Sequence, residues 1–306
     1  MTTKRRHGRR IDGVLLLNKP SGISSNAALQ RARRLLQAER GGHTGTLDPM
    51  AGGLLVLCFG DATKFSSEAI DAGKGYVAHL LLGERTATGD AEGEILERRP
   101  VAVSREQFEA VLTRFRGQIS QVPPMYSALK RDGRPLYEYA RKGVAVERTA
   151  RTVSISALLL DEFRGDRATL SVSCSKGTYV RTLAEDVGEA LGCGAHLVGL
   201  VRTEVGSFSL DQAHRLEDIE ALDIAQRVGL LLPVDVLVRH LPAVRLPEHL
   251  QTAFLHGRPV EPPQGPTDDR TSSGRVRVYA KDGEFLGLAL ADAVGLIHPK
   301  RLLTAV

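Results

Sequence analysis

Cysteine is scarce in this 306-residue chain, and long apolar runs are missing from it. Its three cysteines, Cys58, Cys174 and Cys193, lie far apart with no C-x-x-C spacing, which argues against a disulfide framework, a zinc site or a redox pair. The longest apolar stretches, such as residues 14–17 and 54–59, are far too short to cross a bilayer. We therefore expect reduced, structural cysteines and no membrane span.

Three common functional signatures are also missing. Gly73-Lys74 lacks the upstream glycine and the following hydroxyl residue of a P-loop, and no G-x-G-x-x-G occurs. The histidines are scattered, without H-E-x-x-H spacing. These absences argue against a nucleotide-phosphate cradle and against a zinc hydrolase. The basic N-terminus is interrupted by Asp12 and Asn18 and lacks the apolar core of a signal peptide, so we expect a cytoplasmic protein.

The composition is that of a globular protein with a basic surface. Hydrophobic residues make up 42% and charged residues 25% of the chain, which has a net charge of +5 and a pI of about 9.2. Basic residues cluster in an N-terminal arm (residues 1–10), at residues 31–34 and at residues 130–151. Basic residues on a surface either form a solvated face or contact phosphates. Because they are clustered here, a nucleic-acid partner is favoured.

The hydrophobic pattern alternates between strands and helices. Apolar runs predict strands at residues 13–17, 54–59, 76–82, 153–163 and 168–175. Helices are predicted after Ser24 or Ser25, from Ser104, over residues 178–191 and over most of residues 216–238. Residues 86–97 are predicted to form a loop. Prolines accumulate after residue 241, which predicts a boundary between a large unit and a small β-rich module at residues 242–306.

Residues 41–53 are the most unusual stretch, with five glycines around a single carboxylate, Asp48. The glycines allow positive φ or close backbone contact, while Pro49 fixes its own φ and steers Asp48 away from helical conformation. Two interpretations are open. The stretch forms an ordinary turn in which the aspartate bonds its own backbone, or it holds a carboxylate for chemistry.

Several motifs, in order, resemble one family. They are Asn18-Lys19-Pro20-x-Gly22-x-Ser24-Ser25, His43-Thr44-Gly45-Thr46-Leu47-Asp48-Pro49, Lys74-x-Tyr76, Pro124-Met125-Tyr126-Ser127-Ala128-Leu129-Lys130, Ser175-Lys176-Gly177-Thr178-Tyr179-Val180-Arg181-Thr182 and Gly192-Cys193-Gly194-Ala195-His196-Leu197. Together they are similar to the bacterial tRNA pseudouridine-55 synthases, the TruB family. The resemblance spans residues 10–210 and favours the catalytic interpretation of the loop.

The resemblance implies an architecture. We expect an α+β fold in which residues 11–241 form a catalytic domain with a mixed, mainly antiparallel sheet flanked by helices. An exposed segment at about residues 124–152 resembles an insertion that closes over RNA. Residues 242–306 resemble a small β-rich, PUA-like RNA-binding domain.

The resemblance also implies roles for the motif residues. Asp48 matches the catalytic aspartate, and Arg181 matches an arginine that pairs with it and keeps it ionised. Tyr76 matches a ring that stacks on the flipped uracil, although a half-buried strand tyrosine is the ordinary alternative. Tyr179 matches a residue that lines the base pocket.

Two further positions match residues that bind substrate. Leu200 matches a base-pocket residue, with plain core packing as the competing explanation. His43 matches a residue that occupies space beside the flipped nucleotide, which implies RNA binding rather than proton transfer.

The implied reaction is an isomerisation of one uridine in the T-arm loop of tRNA, with neither cofactor nor metal. One carboxylate acts as nucleophile or base, and the sequence leaves open whether it attacks the base, attacks C1′ or removes a sugar proton. We expect a monomer whose partner is tRNA rather than DNA or a membrane. The rival hypothesis is a non-catalytic protein that binds or folds tRNA.

Overall fold

The computed structural model describes residues 8–127, 129–144, 146–261 and 274–304. Residues 1–7 of the predicted basic arm and residues 267–273 of the polar stretch therefore lie outside the described residues. Among the described residues, no helix is long and apolar enough to pass through a bilayer. All three cysteines are free and buried, as predicted.

The strands and helices follow one another along the chain. The strands are β1 (Gly13–Lys19), β2 (Gly41–His43), β3 (Gly52–Phe59), β4 (Lys74–Leu82), β5 (Glu84–Thr86), β6 (Ile95–Arg98), β7 (Gly117–Gln121), β8 (Lys130–Arg131), β9 (Arg134–Pro135), β10 (Arg151–Arg164), β11 (Arg167–Cys174), β12 (Ala195–Val205), β13 (Phe208–Ser209), β14 (His214–Arg215), β15 (Ala243–Arg245), β16 (Gly274–Tyr279), β17 (Phe285–Ala291) and β18 (Ile297–Leu302). The α-helices are α1 (Ser25–Leu35), α2 (Ser66–Asp71), α3 (Arg105–Thr113), α4 (Leu136–Ala140), α5 (Val180–Ala190), α6 (Leu216–Ala221), α7 (Ile224–Gly229) and α8 (Glu248–Leu255).

Ten strands form the main sheet, in the order β14-β1-β3-β12-β4-β11-β10-β7, with β2 added to β3 and β13 to β12. Most neighbours are antiparallel, and the pairs β1–β14 and β3–β12 are parallel. The predicted mixed, mainly antiparallel sheet is thus confirmed. In the middle of the sheet, Tyr76 of β4 lies between Val172 of β11 and Arg202 of β12.

Helices cover the sheet through separate apolar clusters. Helices α3 and α5 pack on β4, β10, β11 and β12 through buried side chains such as Phe108, Leu183 and Leu197. Helices α1 and α6 pack on β1 and β3 through a second cluster that includes Leu29 and Leu216. Each such side chain contributes about 1.5–3 kcal/mol relative to an exposed one. These two clusters therefore fix the helices against the sheet.

Capping explains where several helices begin. Ser24 caps α1, and Ser104 with Gln107 forms the predicted capping box of α3. Residues 216–238 are mostly helical, as predicted, but in separate pieces, because α6 ends at Ala221 and a capping box formed by Asp223 and Gln226 starts the new helix α7. Pro233 then precedes a short 3₁₀ segment, Val234–Val238.

The loop predicted over residues 86–97 is partly wrong. Strands β5 and β6 pair there as a short hairpin. Ion pairs join its two strands, from Arg98 to Glu84 at 2.9 Å and from Arg85 to Glu97 at 3.3 Å. Of these four paired residues only Glu97 lies within the range predicted to be a loop. A pattern based on apolar periodicity does not detect such cross-strand charge pairs.

The second sheet, in the order β15-β16-β17-β18, makes the C-terminal region β-rich, as predicted. It packs against the main unit through Phe285, whose ring lies 5.4 Å from that of Phe65. Asp61 is a second anchor: it is 3% exposed, and its carboxylate accepts hydrogen bonds from the backbone N–H and the hydroxyl of Thr304 and from Lys64. The chain end is thus tied to the main unit.

Replacing Asp61 with asparagine should lower stability. Burial raises the pKa of Asp61, but the hydrogen bonds from Thr304 and Lys64 outweigh it and lower the pKa below its ordinary value. This contribution is present near neutral pH and is lost as the pH falls through the lowered pKa. We expect Asp61→Asn to reduce the free energy of unfolding by about 1–3 kcal/mol at pH 7 in urea titrations. Asp71→Asn, at an exposed ion pair with Lys176, should change it by less than about 0.5 kcal/mol. Equal effects of the two substitutions would contradict the assignment.

Candidate active site

Hydrogen bonds hold the loop that carries Asp48. The hydroxyl of Ser25 donates to the Leu47 carbonyl at 2.9 Å and accepts from the Leu47 N–H at 2.7 Å. The N–H of Ala51 donates to the carbonyl of Asp48 at 3.1 Å, which closes a turn over Pro49. The carboxylate therefore leaves a backbone that is held immediately before and after it.

Lys19 anchors the same loop from β1. It is 1% exposed, and its Nζ donates to the carbonyls of Ile23 at 2.6 Å, Pro20 at 2.9 Å and Pro49 at 3.5 Å. Burial lowers the pKa of Lys19 to about 8, although nearby Asp48 opposes the change. A buried ammonium is tolerated here because three carbonyls replace its water shell.

Close packing requires at least one of the glycines. Gly53 has φ +96°, and a Cβ placed on it would lie 2.4 Å from the carbonyl oxygen of Arg202, because β3 and β12 pair at this point. An alanine would clash with the main chain there. Gly53 therefore brings the end of the loop against β12.

Arg181 connects the loop to three other segments. Its Nε lies 2.9 Å from Oδ2 of Asp48, and its Nη1 lies 3.4 Å from Oδ2 of Asp90. Nη1 also donates to the Thr88 carbonyl at 2.9 Å, and Nη2 donates to the Tyr126 carbonyl at 2.6 Å. The Arg181 side chain is 5% exposed, whereas that of Asp48 is 36% exposed. The arginine is thus the buried partner, and the carboxylate faces the solvent.

Sequence reasoning missed Asp90. Its side chain is 5% exposed, and Oδ1 accepts hydrogen bonds from the Thr88 hydroxyl and, at 3.1 Å, from the Glu92 N–H. Asp90 thereby holds Nη1 of the Arg181 guanidinium, whereas Asp48 pairs with its Nε. The only sequence signal was the Thr88-Gly89-Asp90 turn, which lay in the segment interpreted as a loop.

The charge state of Asp48 reflects competing effects. Burial raises the pKa of Asp48 above its ordinary value, and the carboxylate of Asp90 raises it further. Arg181 and Lys19 oppose this rise without cancelling it. The arginine therefore orients the carboxylate and limits the rise in its pKa, while the surrounding protein keeps the carboxylate more basic than a solvated aspartate.

Two tyrosines lie close to Asp48. Tyr76, half-buried in β4, has its pKa raised by burial; the charge of Arg202 lowers this pKa and that of Asp48 raises it. Tyr179, half-buried immediately before α5, also has its pKa raised by burial, and the charges of Asp48 and Arg181 act on it as well. Both rings are therefore neutral near pH 7 and lie within range of the carboxylate.

Leu200 and His43 complete the set predicted from the sequence. Leu200 is 7% exposed and belongs to the same apolar cluster as Leu47 and Tyr76. His43 ends β2 opposite Leu57 of β3, and burial lowers its pKa, with Arg202 adding to the effect. Its imidazole is therefore neutral at pH 7. Within the described residues, the Nδ1 of His43 has no hydrogen-bond partner.

Arg202 is the second residue that sequence reasoning missed. It is 1% exposed, and it donates from Nε to the Leu54 carbonyl at 2.7 Å and from Nη2 to the Gly45 carbonyl at 3.2 Å. An arginine within the apolar run of β12 was the available signal. It joins the start of the glycine-rich loop to β3, beside Tyr76.

The arrangement offers one oriented, partly exposed carboxylate beside a guanidinium, two phenol rings and apolar side chains. Such a carboxylate can act as nucleophile or base on a planar substrate held by the rings. In the described part of the chain, no three His, Cys, Asp or Glu side chains converge in a way that could hold a metal ion.

Comparisons with known proteins give one consistent result. Residues 33–180 match the TruB family pseudouridylate synthase N-terminal domain, residues 181–239 the tRNA pseudouridylate synthase B C-terminal domain, and residues 242–303 the pseudouridine synthase II TruB C-terminal domain. The tRNA pseudouridine synthase B of Chromobacterium violaceum is 55% identical over 99% of this chain and 98% of the relative. That of Stutzerimonas stutzeri is 52% identical over 99% of each.

Solved structures agree on the fold. A chain of the crystal structure of a Cbf5–Nop10–Gar1 complex superposes with a TM-score of 0.72 at 24% identity, covering 95% of this chain and 84% of that chain. Fold and sequence thus define the class of the protein as a pseudouridine synthase, an isomerase. Within that class, the chain belongs to the TruB family. The non-catalytic alternative receives no support from these relatives.

The pKa of Asp48 should move in opposite directions when its two charged neighbours are changed. Arg181→Met removes the charge that lowers this pKa, so the pKa should rise, whereas Asp90→Asn removes a charge that raises it, so the pKa should fall. The measurement is an NMR titration of the ¹³C-labelled carboxyl group, assigned by its loss in Asp48→Asn. Arg31→Met, at an exposed ion pair with Glu220, is the control and should leave the pKa of Asp48 unchanged. Shifts of the same sign in both variants would refute the described network.

Proposed function

We propose that this enzyme isomerises the T-loop uridine of tRNA, position 55, to pseudouridine, with Asp48 as its catalytic residue. The observation that carries this proposal is the 2.9 Å ion pair between Asp48 and Arg181, in which the arginine is buried and the carboxylate is partly exposed. The substrate is inferred from the tRNA pseudouridine synthase B relatives, which are 52–55% identical over nearly the whole chain.

The proposed reaction conserves atoms. The N1–C1′ bond of uridine breaks, the uracil rotates, a C5–C1′ bond forms, C5 loses its proton and N1 gains one. No group and no electron is imported, so no cofactor or metal is required by this balance. Asp48 acts either as a nucleophile or as a base. Its raised pKa suits both roles, because the carboxylate must either form and break a bond to the substrate or take up and release a proton within one cycle.

The other site residues receive binding roles in this proposal. Tyr76 stacks on the flipped uracil, while Tyr179 and Leu200 line the pocket around it. His43 fills space beside the nucleotide as a neutral ring. The charge of Asp48 acts on both tyrosines, and Leu200 shares an apolar cluster with Leu47 and Tyr76, which supports these roles. His43 lies within range of the charge of Arg202, beside Tyr76.

The RNA is proposed to lie against segment 124–152. Exposed Lys130, Arg131, Arg134, Arg141 and Lys142 lie in the segment 124–152, where they can neutralise phosphates. We assign residues 11–241 to the catalytic domain and residues 242–306 to a PUA-like RNA-binding domain. We infer that the enzyme works as a monomer in the cytoplasm, where its tRNA substrate is found.

Loss of the carboxylate should abolish the reaction. We expect Asp48→Asn and Asp48→Ala to form no pseudouridine while binding tRNA with nearly wild-type affinity, since phosphate contacts dominate binding. Pseudouridine-specific chemical mapping of tRNA after incubation, together with filter binding, measures both quantities. Asp71→Asn, an exposed aspartate, is the control and should retain activity. Appreciable turnover by purified Asp48→Ala would refute the mechanism.

The substrate proposal has its own test. An isolated T-arm stem-loop should be modified at the same uridine as full-length tRNA, because the proposed contacts lie within that arm. A tRNA with cytidine at position 55 should yield no product while still competing for binding. Modification mapped to any other uridine, or an inert T-arm, would contradict the substrate assignment and leave the isomerase activity standing.

A further inference from the structure

Gln121 is a buried amide at the base of segment 124–152. It is the last residue of β7, is 2% exposed and pairs across the sheet with Arg151, where the chain returns from that segment. We infer that Gln121 is a positioning residue for the reaction, holding Tyr179 in place against the substrate base. The inference rests on the proposed function, because it takes Tyr179 as part of the base pocket.

The contact is reciprocal. The N–H of Tyr179 donates to Oε1 of Gln121 at 3.1 Å, and Nε2 of Gln121 donates to the carbonyl of Tyr179 at 3.3 Å. The same carbonyl also accepts a hydrogen bond from the N–H of Leu183 at 3.0 Å, which closes the first turn of α5. The amide thus fixes both peptide groups that flank Tyr179.

Fixing these peptide groups has consequences for the site. Tyr179 makes no side-chain cap to α5, so the start of this helix depends on contacts from elsewhere. Arg181 lies two residues further on, where the direction of its side chain follows from the first turn of the helix. One amide therefore sets the place of a pocket ring and the approach of the arginine that holds Asp48.

Packing alone does not explain a glutamine here. An apolar side chain would fill the same volume without the cost of burying an amide, which is tolerated only when its hydrogen bonds are made. The oxygen and the nitrogen of the Gln121 amide both form hydrogen bonds with one residue, Tyr179. The specificity of this pairing points to placement of the pocket rather than to general stability.

The location adds a link to the RNA-facing segment. The Nη1 of Arg148 donates to the Pro123 carbonyl at 2.9 Å, which joins the two ends of segment 124–152 next to Gln121. The Tyr126 carbonyl accepts from Arg181 at 2.6 Å. The base of the segment is therefore attached to the site at Tyr179 and at Arg181.

The first test compares two glutamines of one strand. Gln121→Leu should lower the single-turnover rate constant for pseudouridine formation about 10- to 100-fold, the scale of a small misplacement of a reacting group. The Kd for tRNA should change much less. Gln118→Leu, at an exposed position of the same strand, is the matched control and should keep the wild-type rate constant.

The second test separates placement from stability. In Gln121→Glu, the neutral carboxyl group can reproduce both hydrogen bonds, whereas the carboxylate cannot donate and faces the Tyr179 carbonyl. The rate constant relative to wild type should therefore recover as the pH is lowered, while the ratio for Gln121→Leu should not depend on pH. This test also stands if Gln121→Leu fails to fold.

Three results would overturn the inference. The first is a Gln121→Leu rate constant within about twofold of wild type, which is below the scale of a misplaced group, and the second is a rate ratio for Gln121→Glu that does not depend on pH. The third is an equal loss of rate in Phe108→Leu, a core variant of α3 chosen to have the same stability in urea. Absence of pseudouridine in the wild-type reaction would instead refute the proposed function, so the two failures are distinguishable.

Discussion

The guanidinium of Arg181 can be buried as a cation only because its hydrogen-bonding groups are matched on all sides. Asp48 and Asp90 supply the compensating charges, and the carbonyls of Thr88 and Tyr126 accept further hydrogen bonds from the guanidinium. A buried charge without such partners would cost several kcal/mol. The fold must therefore bring the glycine-rich loop, the β5–β6 hairpin, the base of segment 124–152 and α5 to one point.

Around this cation, the two carboxylates differ by exposure. Asp90 is enclosed and bonded at both oxygens, so it serves to hold the arginine. Asp48 has one side free, and a base entering against it would displace water and strengthen its pairing with Arg181 through the lower local dielectric. Arg181 thus orients the carboxylate before the substrate binds, and its pairing with Asp48 becomes stronger once the substrate is bound.

The sequence predicted the features that depend on neighbouring residues. The cap of α1, the capping box of α3 and the β10–β11 hairpin are all local patterns, and the family resemblance brought Asp48 and Arg181 together as a pair. The contacts of Asp90, Arg202 and Gln121 could not be predicted in this way. Each contacts a partner many residues away, as Arg202 does with Leu54 across 148 positions, and no periodicity records such a contact.

Two of the contacts that hold Arg181 come from main-chain carbonyls, those of Thr88 and Tyr126. A main-chain oxygen is present whatever the side chain is, so substitutions at these two positions leave the acceptors in place. Changes in loop length are different, because deleting or inserting one residue would move the carbonyl itself. For these two acceptors spacing therefore matters more than amino-acid identity, although the hydroxyl of Thr88 has its own contact with Asp90.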